Sequence, residues 1–454
     1  MHFLRTHSRR ILLIMALAAM GGVFCALLLP AEQRSVEQQL IGFPDSDVQA
    51  QHARPQVLAA LCFLPTLAAL AYACGGTLDR YITRRFLGMF GICISALFTI
   101  WLLIDLSDNL SEFREAENTT ATLAIYYGSR LPAIVLLLLP YSLLLALLES
   151  LGKLSTNREF VAMIQAGRGV LRTTLPLIFA GVFCTLFTLG LNYHWAPVAE
   201  GREAEILAEA TDQQATKASK VLYRNAEQRR LWMISAFPPD YQKGEPLRGV
   251  EVTTTNEQQR LVSRLSASHA RWNRENRQWT FENAVVCHYE VGQAPEFLPT
   301  DGPLIIDGWS ETPWQIIKPG LRAEHLGIPD LNAWLHSYSH QAQFADPSPY
   351  LTHWHYRWAL PFSCLVTVLL ATPLAIHFSR RGPGGGVFLA VVLAALMLLT
   401  NTIVLAFGES GILKPAIAAW LPNTGFALLG IYLYRRRITG RPIYHSLRKI
   451  FASD

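Results

Sequence analysis

Charge is what this sequence most lacks. Asp, Glu, Lys and Arg make up only 16% of its 454 residues, where a soluble globular chain carries about 25%. That deficit excludes an all-soluble protein and a disordered chain, both of which need polar side chains to remain in water. The formal net charge of +5 is small for this length, and no basic stripe interleaves with aromatics, which argues against nucleic-acid binding. Cysteine supplies no framework either. Cys25, Cys62, Cys74, Cys93, Cys184 and Cys364 sit in apolar runs, where cysteine behaves as a small hydrophobe. Cys287 stands in a polar region without an obvious partner, so neither a disulfide framework nor a CxxC metal site is expected.

Signatures of an engine are missing as well. Gly152-Lys153 is followed by Leu154 and lacks the preceding glycine loop of a nucleotide-binding P-loop. HExxH and GxSxG do not occur. His353 and His355 flank Trp354 at a spacing that could suit a metal, but no Cys or carboxylate cluster is near. An interfacial aromatic belt is the better reading, and no metal site is expected.

What is abundant is hydrocarbon, in runs long enough to cross a ~30 Å bilayer core. Eight spans are predicted, at about 11–29, 57–74, 87–106, 124–149, 172–193, 355–378, 386–405 and 412–434. Arg9 and Arg10 before an apolar stretch could open a signal peptide, but no small-x-small site follows, and Phe24 spoils a lipobox at Cys25. An uncleaved first helix is expected. With both termini inside, the inner ends hold 18 Lys and Arg against 5 in the short outer loops, and basic residues favour the cytoplasmic side. Between the fifth and sixth spans, segments such as RRLWMISAF (229–237) and RQWTFENAVVCHYEV (277–291) are rich in Val, Thr and aromatics and bounded by turn residues. They read as strands of an outer β-domain of sandwich or jelly-roll type. GIPDLNAWLHSYSHQ (327–341) reads as an amphipathic helix returning to the membrane. The fold class is therefore a polytopic α-helical membrane protein with an inserted all-β domain.

Acidic residues in spans are functional candidates, because an ionised carboxylate is costly there. Asp105, Asp108 and Glu112 follow one another at i, i+3 and i+7. Either the span ends near Asp105 and these groups are hydrated, or this face lines a polar cavity. An enzyme built on Asp105 or Glu409 is the weaker reading, since neither has a nucleophile–base pair or metal constellation beside it. The segment 149–172 lies between two spans and is too polar to cross. Phe160, Met163 and Ile164 share one helical face, Ser155 or Thr156 can cap its start with Glu159 in reach, and Gly167 and Gly169 break it. Such a helix suits either lipid contact or docking into a soluble partner's groove.

LDRYITRRFL (78–87), the paired Pro132 and Pro140, GKLSTNREFVAMIQAG (152–167), LPFSCLVTVLLATPLAIHFSRRG (360–382) and ESGILKPAIAAWLPN (409–423) occur here in one order. Through them the chain, from Leu78 to about Arg437, resembles the LptF/LptG permeases, membrane subunits of the bacterial lipopolysaccharide exporter. LNYHWAPVAEG (191–201) and the ESG…WLPN segment are closer to the LptG branch.

The resemblance implies permease helices 1–3 in 78–194, a coupling helix near 155–166, a periplasmic jelly-roll in 195–350, permease helices 4–6 in 351–437 and a cytoplasmic tail in 438–454. It implies a second LptF/LptG-type permease, an LptB-type ATPase dimer carrying ATP and Mg, LptC/LptA-type periplasmic jelly-roll proteins, lipopolysaccharide as cargo and residence in the inner membrane. No cofactor is expected on this chain. The coupling role falls on Glu159, with Arg158, Phe160, Met163 and Gly167 around it. Two departures stand out. Residues 1–77 add two spans without a family counterpart. Where LptG-like chains often carry lysines near the outer end of their first helix, this one has Asp105, Ser111 and Glu112. Arg114, Arg130 and Arg357 are the basic alternatives for substrate phosphate, and Asp105 and Asp108 are candidate cavity-lining residues. A non-transporting scaffold whose β-domain recruits envelope-assembly partners is the rival reading.

Overall fold

The computed structural model describes residues 2–42, 47–115, 118–203, 206, 216–225, 228–239, 241, 244–273, 276–289, 294–300, 302–341, 346–376 and 384–439. The basic positions expected at Arg380, Arg381, Arg441, Arg448 and Lys449 lie outside them.

Two long helices open the chain, α1 (His2–Gly42) and α2 (Val48–Cys74). They are followed by α3 (Thr77–Asp108), the short α4 (Leu110–Glu115), α5 (Thr119–Thr156), α6 (Glu159–Gln165), α7 (Val170–Tyr193) and α8 (Trp195–Gly201). After the strands come α9 (Pro313–Ile317), α10 (Ile328–Gln341), α11 (Ser348–Ala359), α12 (Phe362–Ala375), α13 (Gly384–Glu409) and α14 (Pro415–Ile438). Seven of these are long and apolar enough to span a membrane, and α11 with α12 passes the same test only as a pair bent by 52°, the shape of a broken span or of a re-entrant loop. The continuous helix predicted at 355–378 is thus two helices with a bend between them. Pro361 has no N–H to continue the ladder and crowds the preceding turn. The chain crosses the break through tighter bonds, from Ser363 N–H to Leu360 O and from Cys364 N–H to Pro361 O.

Eight strands form one antiparallel sheet: β1 (Ala218–Asn225), β2 (Arg230–Phe237), β3 (Leu247–Thr255), β4 (Leu261–Asn273), β5 (Gln278–Glu282), β6 (Val285–His288), β7 (Glu296–Pro299) and β8 (Leu304–Ile306). Along β2, Trp232 and Ile234 are buried while Met233 and Ser235 are exposed, the period-two signature of a half-buried strand. The inward residues meet Trp279, Phe281, Ile316 and Leu331 in a single core. Both β5 and β6 pair with β4, and between them Asn283 has φ 52°. They are two halves of one kinked strand, and β8 and β7 repeat the division one lane further out. Joined in this way the order is a meander, without the Greek-key crossovers that would set non-consecutive strands side by side.

The first two helices are packed onto the rest of the chain, with α2 lying on α7. At the end nearer the β-domain a polar cluster holds them. Arg54 pairs with Glu32 at 2.5 Å and donates to Gln39 and Gln51 at 3.0 and 2.9 Å. Gln39 and Gln51 in turn donate to Asp330 of α10 at 3.0 and 3.3 Å. Tyr193 donates to the carbonyl of Ala50, and the Trp195 indole to Glu32. Burial raises the pKa of Asp330, opposed in part by Arg54 and the two glutamines. Burial and the nearby arginines hold His194, beside it, well below its usual range, hence neutral. These hydrogen bonds join the hairpin to the helix that leads out of the β-domain.

Within the hairpin the helices touch at Gly21, where an added Cβ would lie 2.7 Å from the carbonyl oxygen of Cys62. Close approach through small residues is the usual basis of helix packing in membranes. Gly21→Leu should therefore force α1 off α2 and cost about 1–3 kcal/mol, read as a lower midpoint of thermal unfolding in detergent. The nearby Gly22, with open space at its Cβ position, should tolerate Ala.

Candidate functional site

The segment singled out at 149–172 has a different anatomy from the one expected. Helix α5 does not stop at a cap near residue 155; it runs on to Thr156, because Leu151 and Leu154 on its last turns are buried. Asn157 ends it, Arg158 takes the left-handed conformation at φ 59°, and α6 begins at Glu159. Ser155 and Thr156 thus close α5 and do not cap α6, and the separate helix is Glu159–Gln165. It stops at Gly167, whose φ of +84° favours glycine. Gly167 N–H donates to Ile164 O and Arg168 N–H to Met163 O, the paired bonds of a Schellman turn.

The apolar face of α6 packs against helices of its own chain. Phe160 and Met163 are buried against Ile82, Phe86, Leu151 and Leu154. Seven residues are too few for a stable helix in isolation, so this burial holds α6 in place. Two sets of charged contacts tie it to α3. Glu159 accepts hydrogen bonds from Tyr81 at 2.7 Å, from Arg85 at 3.1 Å and from Asn157 at 3.2 Å. In the reverse sense, Asp79 of α3 accepts from Arg168 at 3.0 Å and Arg172 at 3.1 Å while bonding the N–H of Gly76 at 3.1 Å. Burial alone would raise the Glu159 pKa, but the Tyr81 and Asn157 hydrogen bonds and the Arg85 guanidinium outweigh it and hold the carboxyl below its usual range. Outward, α6 shows Arg158, Ala162, Gln165, Ala166 and Gly167. The result is a small platform that cannot be pushed without moving α3, α5 and α7.

Asp79, Tyr81 and Arg85 were not among the candidates, although Tyr81 and Arg85 lie one helical turn apart. That spacing puts both on one face, but nothing in it indicates Glu159 74 residues downstream of Arg85.

At the other end of the helices the structure gathers Asp105 and Arg130. Arg130 bridges Asp105 at 2.9 Å and Glu203 at 2.8 Å and lies over the Trp101 and Tyr126 rings. Asp108 is exposed at the end of α3, and Arg114 is exposed on α4. Arg357 is buried and spends its donors on Asn192 Oδ1 at 3.2 Å and on the carbonyls of Leu326, at 3.2 Å, and Glu324. His353, assigned to an interfacial belt, is buried and bonds Glu409 at 2.8 Å. A cavity of about 400 Å³ lies beside these groups, lined by Trp101, Arg130, Tyr141, Glu200, Tyr356 and Asn401 among others.

The sequence model of the lipopolysaccharide export system permease LptF/LptG family matches residues 80–436. The LptG lipopolysaccharide export permease proteins of Escherichia coli K12 and of Escherichia coli O6:H1 are each 24% identical to this chain over 385 residues, covering 80% of it and 99% of their own length. The chain belongs to the LptF/LptG family and leans to its LptG branch. The matched span takes in α6 with Tyr81 and Arg85, begins one residue after Asp79, and leaves α1 and α2 outside.

Because the folded pKa of Glu159 lies below its ordinary value of 4.5, its contribution to holding α6 is complete above that value and is lost as the pH falls through the folded one. Amide exchange of residues 159–166, corrected for its own pH dependence, should accelerate over that range. Glu159→Gln should show the faster exchange already at pH 7, by about fivefold (~1 kcal/mol for a half-exposed pair).

Proposed function

We propose that this LptF/LptG-family chain is the membrane subunit of an ATP-driven exporter that lifts lipopolysaccharide from the outer leaflet of the bacterial inner membrane and passes it to a periplasmic bridge. The observation that carries the reading is the platform at α6. The chain holds a rigid, outward-facing helix at its arginine-rich end yet has no nucleotide-binding loop of its own, which is what a subunit driven from outside requires. On this reading an LptB-type ATPase dimer docks on that face and carries ATP and Mg²⁺. Glu159 acts by positioning α6 through Tyr81 and Arg85, with Phe160 and Met163 as its anchor.

The energetics call for such a drive. Lifting a lipid out of a leaflet costs about 0.8 kcal/mol per exposed CH₂, so several acyl chains amount to tens of kcal/mol. Extraction therefore needs both a shielded cavity and a power stroke. The cavity beside Trp101 and Tyr356 is half of that shelter, and a second LptF/LptG-type permease supplies the other half. Among the phosphate candidates, Arg130 is neutralised by two carboxylates and Arg357 is committed to carbonyl groups, which leaves Arg114 as the exposed one. The basic ends and both termini face the cytoplasm, following the 18-to-5 distribution of Lys and Arg. The β-domain then stands in the periplasm as a partner for LptC/LptA-type jelly-roll proteins, joined by addition at an edge of its meander sheet.

Glu159→Lys should lower ATPase co-purification and lipopolysaccharide release from proteoliposomes at least tenfold, with the permease inserted in normal amount. Full ATP-coupled release with that change would overturn the coupling role. A purification that recovers neither an ATPase nor a second permease would favour a scaffold that recruits envelope partners.

A further inference from the structure

The helices outside the family match enclose a second cavity together with two helices inside it. It has a volume of about 870 Å³ and lies between α1, α2, α3 and α7, at the upper end of the ~300–1,000 Å³ typical of ligand sites. Its walls are apolar, with Leu17, Ala68, Tyr72, Phe179 and Phe183 among them. Its mouth is not: Arg80, Arg84 and Arg172 line it against the single carboxylate of Asp79. Asp79 is already engaged by Arg168 and Arg172, and among the described residues Arg80 and Arg84 form no salt bridge.

The cavity follows α3 inward from Arg80 to Phe90, ten residues or about 15 Å of helix. That is about half of a ~30 Å hydrocarbon core, the depth of one leaflet. Arg80 and Arg84 are one turn apart, on the face that also presents Leu87 to the cavity. A cationic mouth above an apolar slot one leaflet deep matches a lipid whose headgroup is an anion. We infer that this cavity binds an anionic phospholipid of the inner leaflet, with its phosphate on Arg80 and Arg84 and its acyl chains between the α1–α2 hairpin and α7. Selectivity comes from the headgroup, since the chains exchange one hydrocarbon environment for another. The site shares no lining residue with the Trp101–Tyr356 cavity and requires only the membrane orientation given above, not the nature of the exported lipid.

The test is native mass spectrometry of the intact purified chain, titrated with phosphatidylglycerol or phosphatidylcholine in detergent. Arg80→Gln/Arg84→Gln should weaken phosphatidylglycerol binding about tenfold, in line with the contribution of arginines near an anionic surface. The control Arg435→Gln/Arg436→Gln, which removes the same charge from the end of α14, should leave it unchanged. Ala68→Trp, which fills the slot and keeps the arginines, should reduce occupancy by both lipids, with thermal midpoints identifying any variant that misfolds. Equal binding of the two lipids by the wild-type chain would overturn the inference, as would equal losses in the two arginine pairs. So would unchanged occupancy in Ala68→Trp, or a partner helix cross-linked to a cysteine at position 68.

Discussion

The crossed pairing between the first turns of α3 and the turn around α6 is the contact on which the rest of the arrangement depends. A seven-residue helix has no stability of its own, and Asn157 before it and Gly167 after it favour turns. What keeps α6 a defined object is burial of Phe160 and Met163 together with Glu159 held by α3 and Asp79 held by the α6–α7 turn. Burial supplies most of the energy and the charges supply the direction. A hydrophobic face alone could slide, whereas two sets of ion pairs of opposite sense fix both the position and the rotation of the helix. Any load placed on its outer face is therefore carried directly into α3, α5 and α7.

The same economy of charge governs the opposite end of the helices. Arg54 with Glu32, Arg130 with Asp105 and Glu203, and Arg357 with its carbonyl partners each place a guanidinium where desolvation would be severe without partners. The guanidinium suits this work because its planar donors reach several acceptors at once. Through Arg54 and Asp330 the two additional helices are connected to the root of the β-domain, while at their other end they form one wall of the arginine-mouthed cavity. The hairpin is thereby integrated at both ends, which accounts for its burying a glutamine, Gln51, and an arginine, Arg54, that a peripheral anchor would have no reason to carry.

Much of this was legible in the sequence because it is set by local composition. Long apolar runs mark the spans, period-two alternation marks strands such as β2, and the pattern of Phe160, Met163 and Gly167 marks a short helix with a defined stop. Three things were not legible, each for a physical reason. The end of α5 was misplaced because Ser155 and Thr156 look like caps, while tertiary burial of Leu151 and Leu154 carries the helix past them. The break at Pro361 was read as continuous because hydropathy reports length and not direction. The partners of Glu159, Asp105 and Arg357 were invisible because ion pairs between distant segments leave no periodic trace. Arg130 and Arg357 could be named as candidates for substrate phosphate because those partners leave no trace in the sequence, and the structure shows their donors largely occupied.

The central claim is that Glu159 acts by holding α6 against Arg85. The most direct measurement is ATP-driven lipopolysaccharide release from proteoliposomes carrying Glu159→Arg, Arg85→Glu and the two changes together, read as a double-mutant cycle. The account predicts that each single change impairs release and that the swapped pair recovers most of it, because the clamp is rebuilt with its charges exchanged. A double variant as inactive as Glu159→Arg alone would contradict it, and would place the essential partner of Glu159 on another chain.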